Sequence, residues 1–396
     1  MLLASPSIIS KFTGSLRDIK MHKLFRIFLS IVAGVGLVAC KQEVKKETES
    51  SKSGREISNV INNDSVLLVE KPNDVDTPEG MVWIPGGELK QGAVPQDKMA
   101  MQHEKPAINV LVDGFFMDIT EVTNAQFEKF VNETGYVTTA ERAIDWEELK
   151  KQVPEGTEKP HDSVLQPGAL TFKKTKTSVP NLYDFSQWWN WTIGADWKHP
   201  NGPESNIIGK ENYPVVQISY EDALAYCQWA GRRLPTEAEW ELAARAGKKG
   251  TTFFWGDDIS VLQQRANTWE GEFPVTNTKA DGFEFRAPVK SYPPNDYGLY
   301  DMAGNVWEWT SDWYNTNYYK EVKAMGEVQK NPQGATKPFT PNNPYAKEKV
   351  IKGGSFLCSA SYCASYRVSA KMGSSMDSSL EHTGFRTVAT VDMLTD

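Results

Sequence analysis

The chain is poor in cysteine, with only Cys40, Cys227, Cys358 and Cys363 in 396 residues. So few thiols cannot cross-link a disulfide-built scaffold. Histidine is scarce too, at five residues, and none stands at ligand spacing from the cysteines, which excludes a Cys/His zinc site of the usual pattern. No Cys-X-X-Cys pair is present, against a thioredoxin-like exchange centre. There is no basic stripe with interleaved aromatics, and the net charge is −8, so nucleic acid is excluded as a partner. No apolar run reaches the roughly 20 residues of a membrane-spanning helix. No repeat of fixed period is found. What the chain does have is 13 Trp, 29 Gly and 22 Pro. That composition predicts an aromatic core held by turns and loops rather than by long helices, in one large domain or two ordinary ones.

The N-terminus carries an export pattern. His22, Lys23 and Arg26 precede the apolar run Ile27–Leu37, which has the length of a signal-peptide core. The run ends in Leu37-Val38-Ala39-Cys40. This tetrapeptide resembles the lipobox of bacterial lipoproteins, which implies lipidation at Cys40 and an exported, membrane-anchored protein on the periplasmic or cell-surface side. Residues 1–20 precede a better-placed start at Met21. Residues 41–77 are polar and nearly free of aromatics, as expected of a flexible tether. With Cys40 lipidated, an odd number of thiols remains, so one is left without a partner.

From residue 78 the composition is that of a folded domain. Met81–Gly87 reads as a strand closed by a glycine turn, and Leu111–Met117 as another short strand. Three helices announce themselves by capping boxes: Thr123 with Gln126, Ser219 with Asp222, and Thr236 with Glu239. Gly135, Gly231 and Gly247 are their expected stops. Residues 138–190 read as irregular, with an aromatic cluster at Trp188, Trp189 and Trp191. Residues 315–347 read as a Pro/Asn-rich surface loop, and strand-like residues resume at Val350. The outcome is one α+β domain over 78–396, low in regular secondary structure.

The strongest chemical constellation is Gly353-Gly354-Ser355-Phe356-Leu357-Cys358, followed by Tyr362-Cys363 and Arg367. Two thiols with four residues between them can meet if the chain turns there. Spacing alone leaves three readings in order: a structural disulfide, a soft two-thiolate site suited to Cu(I), and a thiol pair for redox exchange.

The surrounding residues change that order. The segment 353–367 with Gly384-Phe385-Arg386 resembles the C-terminal signature of formylglycine-generating enzymes. So do Arg233-Leu234-Pro235-Thr236-Glu237-Ala238-Glu239-Trp240-Glu241, the segment Gly271–Thr278 continuing through Phe283, and Tyr297–Thr310. The resemblance covers 78–390. The helix-opening and Gly304-Asn305-Val306-Trp307-Glu308-Trp309 elements mark the broad superfamily, whereas the two cysteines mark its catalytic branch. The implied fold is related to C-type-lectin-like folds.

That resemblance implies a copper oxidase. Cys358 and Cys363 would hold Cu(I), and an unfolded sulfatase segment of the Cys-X-Pro-X-Arg type would bring its own thiolate. Dioxygen would be reduced and the cysteine converted to formylglycine. Ser355 and Trp307 match positions on the oxygen side of the site; Tyr362, Arg367 and His382 match its substrate surroundings. Two structural calcium ions are also implied. The first would bind Asn267, Thr268, Asp281 and Phe283; the second Asp301, Gly304, Val306 and Glu308. Thr268, Phe283, Gly304 and Val306 would act through main-chain oxygens. A monomer is expected.

Departures from the family pattern are local. Cys227 stands where relatives place half of a disulfide, but the partner position is Thr387, so a buried inert thiol is expected. A second disulfide is missing at Ala244 and Val368. His382 replaces an amide and Ser359 replaces a commoner residue. His199 reads as a hydrogen-bonded loop histidine rather than a ligand. The alternative to the oxidase is a non-catalytic lipoprotein of the same fold, which fold-level motifs cannot distinguish; the cysteine pair favours the enzyme.

Overall fold

The computed structural model describes residues 66–395, apart from 153, 154, 342 and 344. The signal segment, Cys40 and the tether up to residue 65 lie outside the described residues. Among the described residues no helix is long and apolar enough to cross a membrane.

Twelve short strands make four sheets among the described residues. The strands are β1 (Met81–Ile84), β2 (Gly87–Gln91), β3 (Ile108–Val112), β4 (Phe115–Asp118), β5 (Gly168–Phe172), β6 (Trp189–Ile193), β7 (Trp307–Trp313), β8 (Gln329–Lys330), β9 (Glu348–Lys352), β10 (Lys371–Ser375), β11 (Thr383–Gly384) and β12 (Val388–Ala389). Their orders are β1-β4-β12, β2-β3-β8, β5-β6 and β10-β9-β7-β11. The last sheet positions the site: β9 lies antiparallel to β7, and β11 pairs with it in parallel, Thr383 opposite Trp307.

The longer helices are α1 (Asn124–Thr134), α2 (Tyr220–Trp229), α3 (Glu237–Arg245) and α4 (Tyr318–Met325). All three expected capping boxes form. In α3, Glu239 N–H donates to Thr236 Oγ1 (3.1 Å) and Thr236 N–H to Glu239 Oε2 (2.8 Å). Arg233 then grips Glu239 with a two-pronged pair at 2.7 and 2.6 Å, a geometry that fixes orientation as well as charge. The stop of α3 differs by one residue from expectation: Ala246 takes the left-handed cap position at φ 46°, with Gly247 following at φ 79°.

Other departures have plain causes. Leu111–Met117 is two strands, because Asp113-Gly114 turns there and Gly114 lies under Trp83, whose Cζ2 would sit 2.2 Å from an added Cβ. The irregular 138–190 stretch contains the β5–β6 ladder. The 315–347 excursion contains α4, which buries Tyr318, Tyr319 and Val322. The fold also takes in part of the expected tether: Gly114 N–H donates to Leu68 O (2.6 Å), Gly86 N–H to Val69 O (3.3 Å), and Val75 is buried.

The main core gathers Phe127, Phe130, Trp197, Trp240 and Trp309 between α1–α3 and the sheets. A second aromatic cluster, with Trp188, Trp189, Trp269, Phe273 and Phe356, packs beside it. Beneath α3, Glu237 and Glu241 meet Lys371 (2.9 Å from Glu237), Arg245 (2.8 Å from Glu241) and Lys352 in a buried charge network. Cys227 is buried and free, and burial pushes its thiol well above the usual range.

Candidate active site

The site grows from the end of β9. Gly353 and Gly354 follow at φ 89° and 77°, in the region that favours glycine. A Cβ on Gly354 would sit 2.8 Å from the carbonyl carbon of Ser365, and one on Gly353 3.2 Å from the Trp240 ring. The chain can therefore pass between its own returning loop and α3. It then folds tightly: Cys358 N–H donates to Ser355 O (2.8 Å), and the N–H groups of Tyr362, Cys363 and Ala364 all point to Ser359 O (3.2, 3.1 and 2.9 Å). That turn brings Cys358 and Cys363 together, with their Cα atoms 5.3 Å apart and their sulfurs joined as a disulfide. Ser355 N–H points at the Cys358 sulfur (3.4 Å).

Both cysteines open onto a narrow cleft of about 50 Å³ that is also lined by Ser355, Trp307, Tyr362 and His382. Ser355, Cys358, Tyr362 and Cys363 come from one segment, and Trp307 and His382, distant in sequence, join them for a topological reason. The β7–β11 ladder sets Trp307 beside His382, and Trp307 N–H donates to His382 O (2.8 Å). His382 packs edge-on against Trp189 (4.8 Å). The surrounding apolar walls push its imidazole down to about 3, so it is neutral across the physiological range. Tyr362 stacks on Phe273 at 4.4 Å, and burial raises its hydroxyl above the usual range. Phe185, Trp189 and Leu380 add further apolar wall. Of this aromatic surround, Tyr362 and the cluster of Trp188, Trp189 and Trp191 were signalled by the sequence.

Arg367 is placed elsewhere. Its guanidinium is 2% exposed and is held by Glu104 (2.8 Å) and Asp97 (2.6 Å). It anchors the returning loop to the 97–104 segment and is not among the residues that line the cleft. Ser359 is buried as the turn's acceptor, and His199 bonds to Asp196 (3.1 Å) as a loop histidine.

The expected calcium residues form two neighbouring groups. Asn267 pairs with Gly304 across an isolated parallel bridge. In the first group, Asp281 accepts from the N–H groups of Thr268 (2.8 Å) and Phe283 (3.1 Å), while the buried Oδ1 of Asn267 has no donor. In the second, Asp301 Oδ1 is likewise buried without a donor, whereas Glu308 is held by Arg386 through two contacts of 2.7 Å. Burial pushes Asp301 up to about 6. Orphaned hard oxygens of this kind suit a cation such as calcium. Among the described residues no three His, Cys, Asp or Glu side chains converge as a ready metal cluster. Amide and main-chain oxygens would therefore have to supply much of the coordination.

Residues 68–391 match the Sulfatase-modifying factor enzyme 1-like domain. The chain belongs to this family, that of the formylglycine-generating enzymes. The formylglycine-generating enzyme of Mus musculus is 43% identical over 310 residues, 78% of this chain and 74% of the relative. That of Thermomonospora curvata is 40% identical over 312 residues, 78% of this chain and 93% of the relative. In fold, PvdO from Pseudomonas aeruginosa superposes with a TM-score of 0.51 at 21% identity, over 81% of this chain and all of that one. That last likeness concerns architecture alone.

Proposed function

We propose that this chain converts a cysteine in an unfolded sulfatase segment to formylglycine at a Cu(I) centre held by Cys358 and Cys363. The oxidation itself follows from family membership and from relatives at 40–43% identity that carry this activity in their names. The observation that supports the metal is the meeting of two sulfurs in one apolar cleft with Ser355 and Trp307. Two thiolates are a soft donor set that suits Cu(I).

When bound, copper would supply one-electron chemistry towards O2 and hold the substrate thiolate near it. The rest falls to the protein. Trp307, Tyr362, Trp189 and Leu380 exclude water, and the neutral His382 adds a hydrogen-bonding group without a charge. The substrate cysteine loses two electrons and two hydrogens, one from Cβ and one from its thiol, to give a thioaldehyde, which water converts to the aldehyde and hydrogen sulfide. Reducing O2 to water takes four electrons, so an external thiol supplies the other two. The same reductant opens the Cys358–Cys363 disulfide and frees both thiolates.

The test is mass spectrometry of a Cys-X-Pro-X-Arg peptide incubated with reduced chain, copper and a thiol in air. An aldehyde product is expected, with oxygen consumed. Cys358→Ser and Cys363→Ser should each abolish turnover and leave the melting temperature close to that of the reduced parent. Full turnover in either variant rejects the two-sulfur centre. Structural calcium at the two groups described, a lipid anchor on Cys40 and a monomeric state complete the proposal.

A further inference from the structure

One sulfur in the cleft stands outside every motif that signalled the family. Met372, on β10, lines the cleft together with Cys358 and Cys363. It packs against the core cluster that contains both cysteines. Among the described residues it is the one methionine that lines the cleft. The strand aims it there, because side chains alternate along β10. On one face Lys371 donates to Glu237 Oε2 (2.9 Å), and Gly373 lies under Tyr314, whose Cδ1 would be 2.5 Å from an added Cβ. Met372 takes the other face, opposite Ile351 in the β10–β9 ladder, and Ile351 and Ser374 line the cleft as well.

Charge decides what kind of donor suits this wall. Among the described residues no Lys, Arg, Asp or Glu lines the cleft, and His382 is neutral. Cu(I) between two thiolates already carries a net negative charge. A further resident thiolate would add to it in an apolar cleft, where uncompensated charge is costly. A thioether is soft, so it suits Cu(I), and it is neutral, so it adds no charge. The methionine side chain is also unbranched and flexible, so its sulfur can move aside while the strand stays in place.

We propose that Met372 is a third, exchangeable sulfur ligand for the Cu(I) centre of Cys358 and Cys363. It fills the open coordination place in the resting enzyme. The substrate thiolate, a stronger donor, takes that place when the client segment enters, and Met372 returns to the cleft wall beside Ile351. The inference rests on the copper reading above and adds to it a ligand that the chain itself supplies.

The experiment uses the full chain, reduced and loaded with Cu(I) in the absence of air. X-ray absorption at the copper edge counts the sulfur neighbours, and competition with a colorimetric Cu(I) chelator gives the affinity; neither depends on turnover. Wild type should show three sulfurs without peptide. Met372→Leu, close to methionine in volume, should show two and bind Cu(I) about tenfold more weakly, through the loss of one soft neutral donor. Adding a Cys-X-Pro-X-Arg peptide should restore the third sulfur in that variant. Met372→Cys should keep three sulfurs and bind Cu(I) more tightly than wild type. Two sulfurs in wild type, or three sulfurs and parental affinity in Met372→Leu, overturn the role of Met372 and leave the copper reading intact. If Met372→Leu does not fold, Met372→Cys decides alone, and an affinity no higher than that of the parent overturns the ligand. No Cu(I) bound by wild type, or binding unchanged in Cys358→Ser, overturns the copper reading and Met372 with it.

Discussion

At the scale of single residues, the site depends on a backbone path that only glycine can follow. Gly354 has φ 77°, and an added Cβ would lie 2.8 Å from Ser365. Both the strain and the contact act against any other side chain. Gly354→Ala is therefore expected to cost about 1–3 kcal/mol, the usual range for a residue forced into a sparsely populated backbone region. Chemical denaturation measures this directly. Because the displaced segment runs straight into Ser355 and Cys358, turnover should fall at temperatures where the variant is still folded. An unchanged midpoint would mean the loop relaxes freely. The cysteine pair, Ser355 and Trp307 were legible from motif and resemblance. Much of the cleft's apolar wall was not, because Phe185, Trp189 and Leu380 meet the cysteines only through packing between segments distant in sequence.

At the scale of elements, local chemistry was the readable part. Thr123, Ser219 and Thr236 open their helices as capping residues do, since the side-chain acceptors and their Gln, Asp and Glu partners lie three residues apart. The helix α4 was not readable, because the Pro/Asn-rich sequence around it masks a short amphipathic turn. Its decisive contact, Tyr319 Oη to Glu237 Oε1 at 2.6 Å, is long-range. Strand β9 shows what such context does to a carboxyl. Glu348 is 3% exposed, and burial pushes it from 4.5 up to about 7, although it accepts from Thr340 Oγ1 (2.7 Å). Below pH 4.5 both folded and unfolded chains hold the proton. As pH rises, the unfolded chain releases it first, so Glu348 removes stability from about pH 4.5 through 7. Glu348→Gln, which keeps an acceptor for Thr340, should therefore raise the melting temperature at pH 8 and change little at pH 4. The free-energy gain at pH 8 is roughly 3 kcal/mol at most. A variant that is equally destabilised at both values would instead show that the anion is needed for packing.

At the scale of the whole molecule, the domain is closed by buried polar links rather than by extended sheets. Its four sheets are small, and the loops between them carry the signature motifs. Arg386 joins three separate segments at once. It reaches Glu308 at the start of β7, the carbonyl of Asp118 at the end of β4 (3.2 Å) and the carbonyl of Tyr300 (2.9 Å), while fully buried. The triplet Gly384-Phe385-Arg386 thus acts over a distance that its sequence does not reveal. Its neighbours explain why: Gly384 pairs with Glu308 in the β11–β7 ladder, and Phe385 stacks edge-on with Phe127 and Tyr226. Lysine keeps the charge but cannot reach two carboxylate oxygens and two carbonyls from one planar group. Arg386→Lys is therefore expected to cost about 3 kcal/mol or more, as for other broken buried ion pairs. The loss should fall on the whole domain, so a single cooperative denaturant transition should move to lower concentration with its slope unchanged. A second, earlier transition would show that the β7 sheet can open on its own, and that the links through Arg386 do not bind the sheets into one unit.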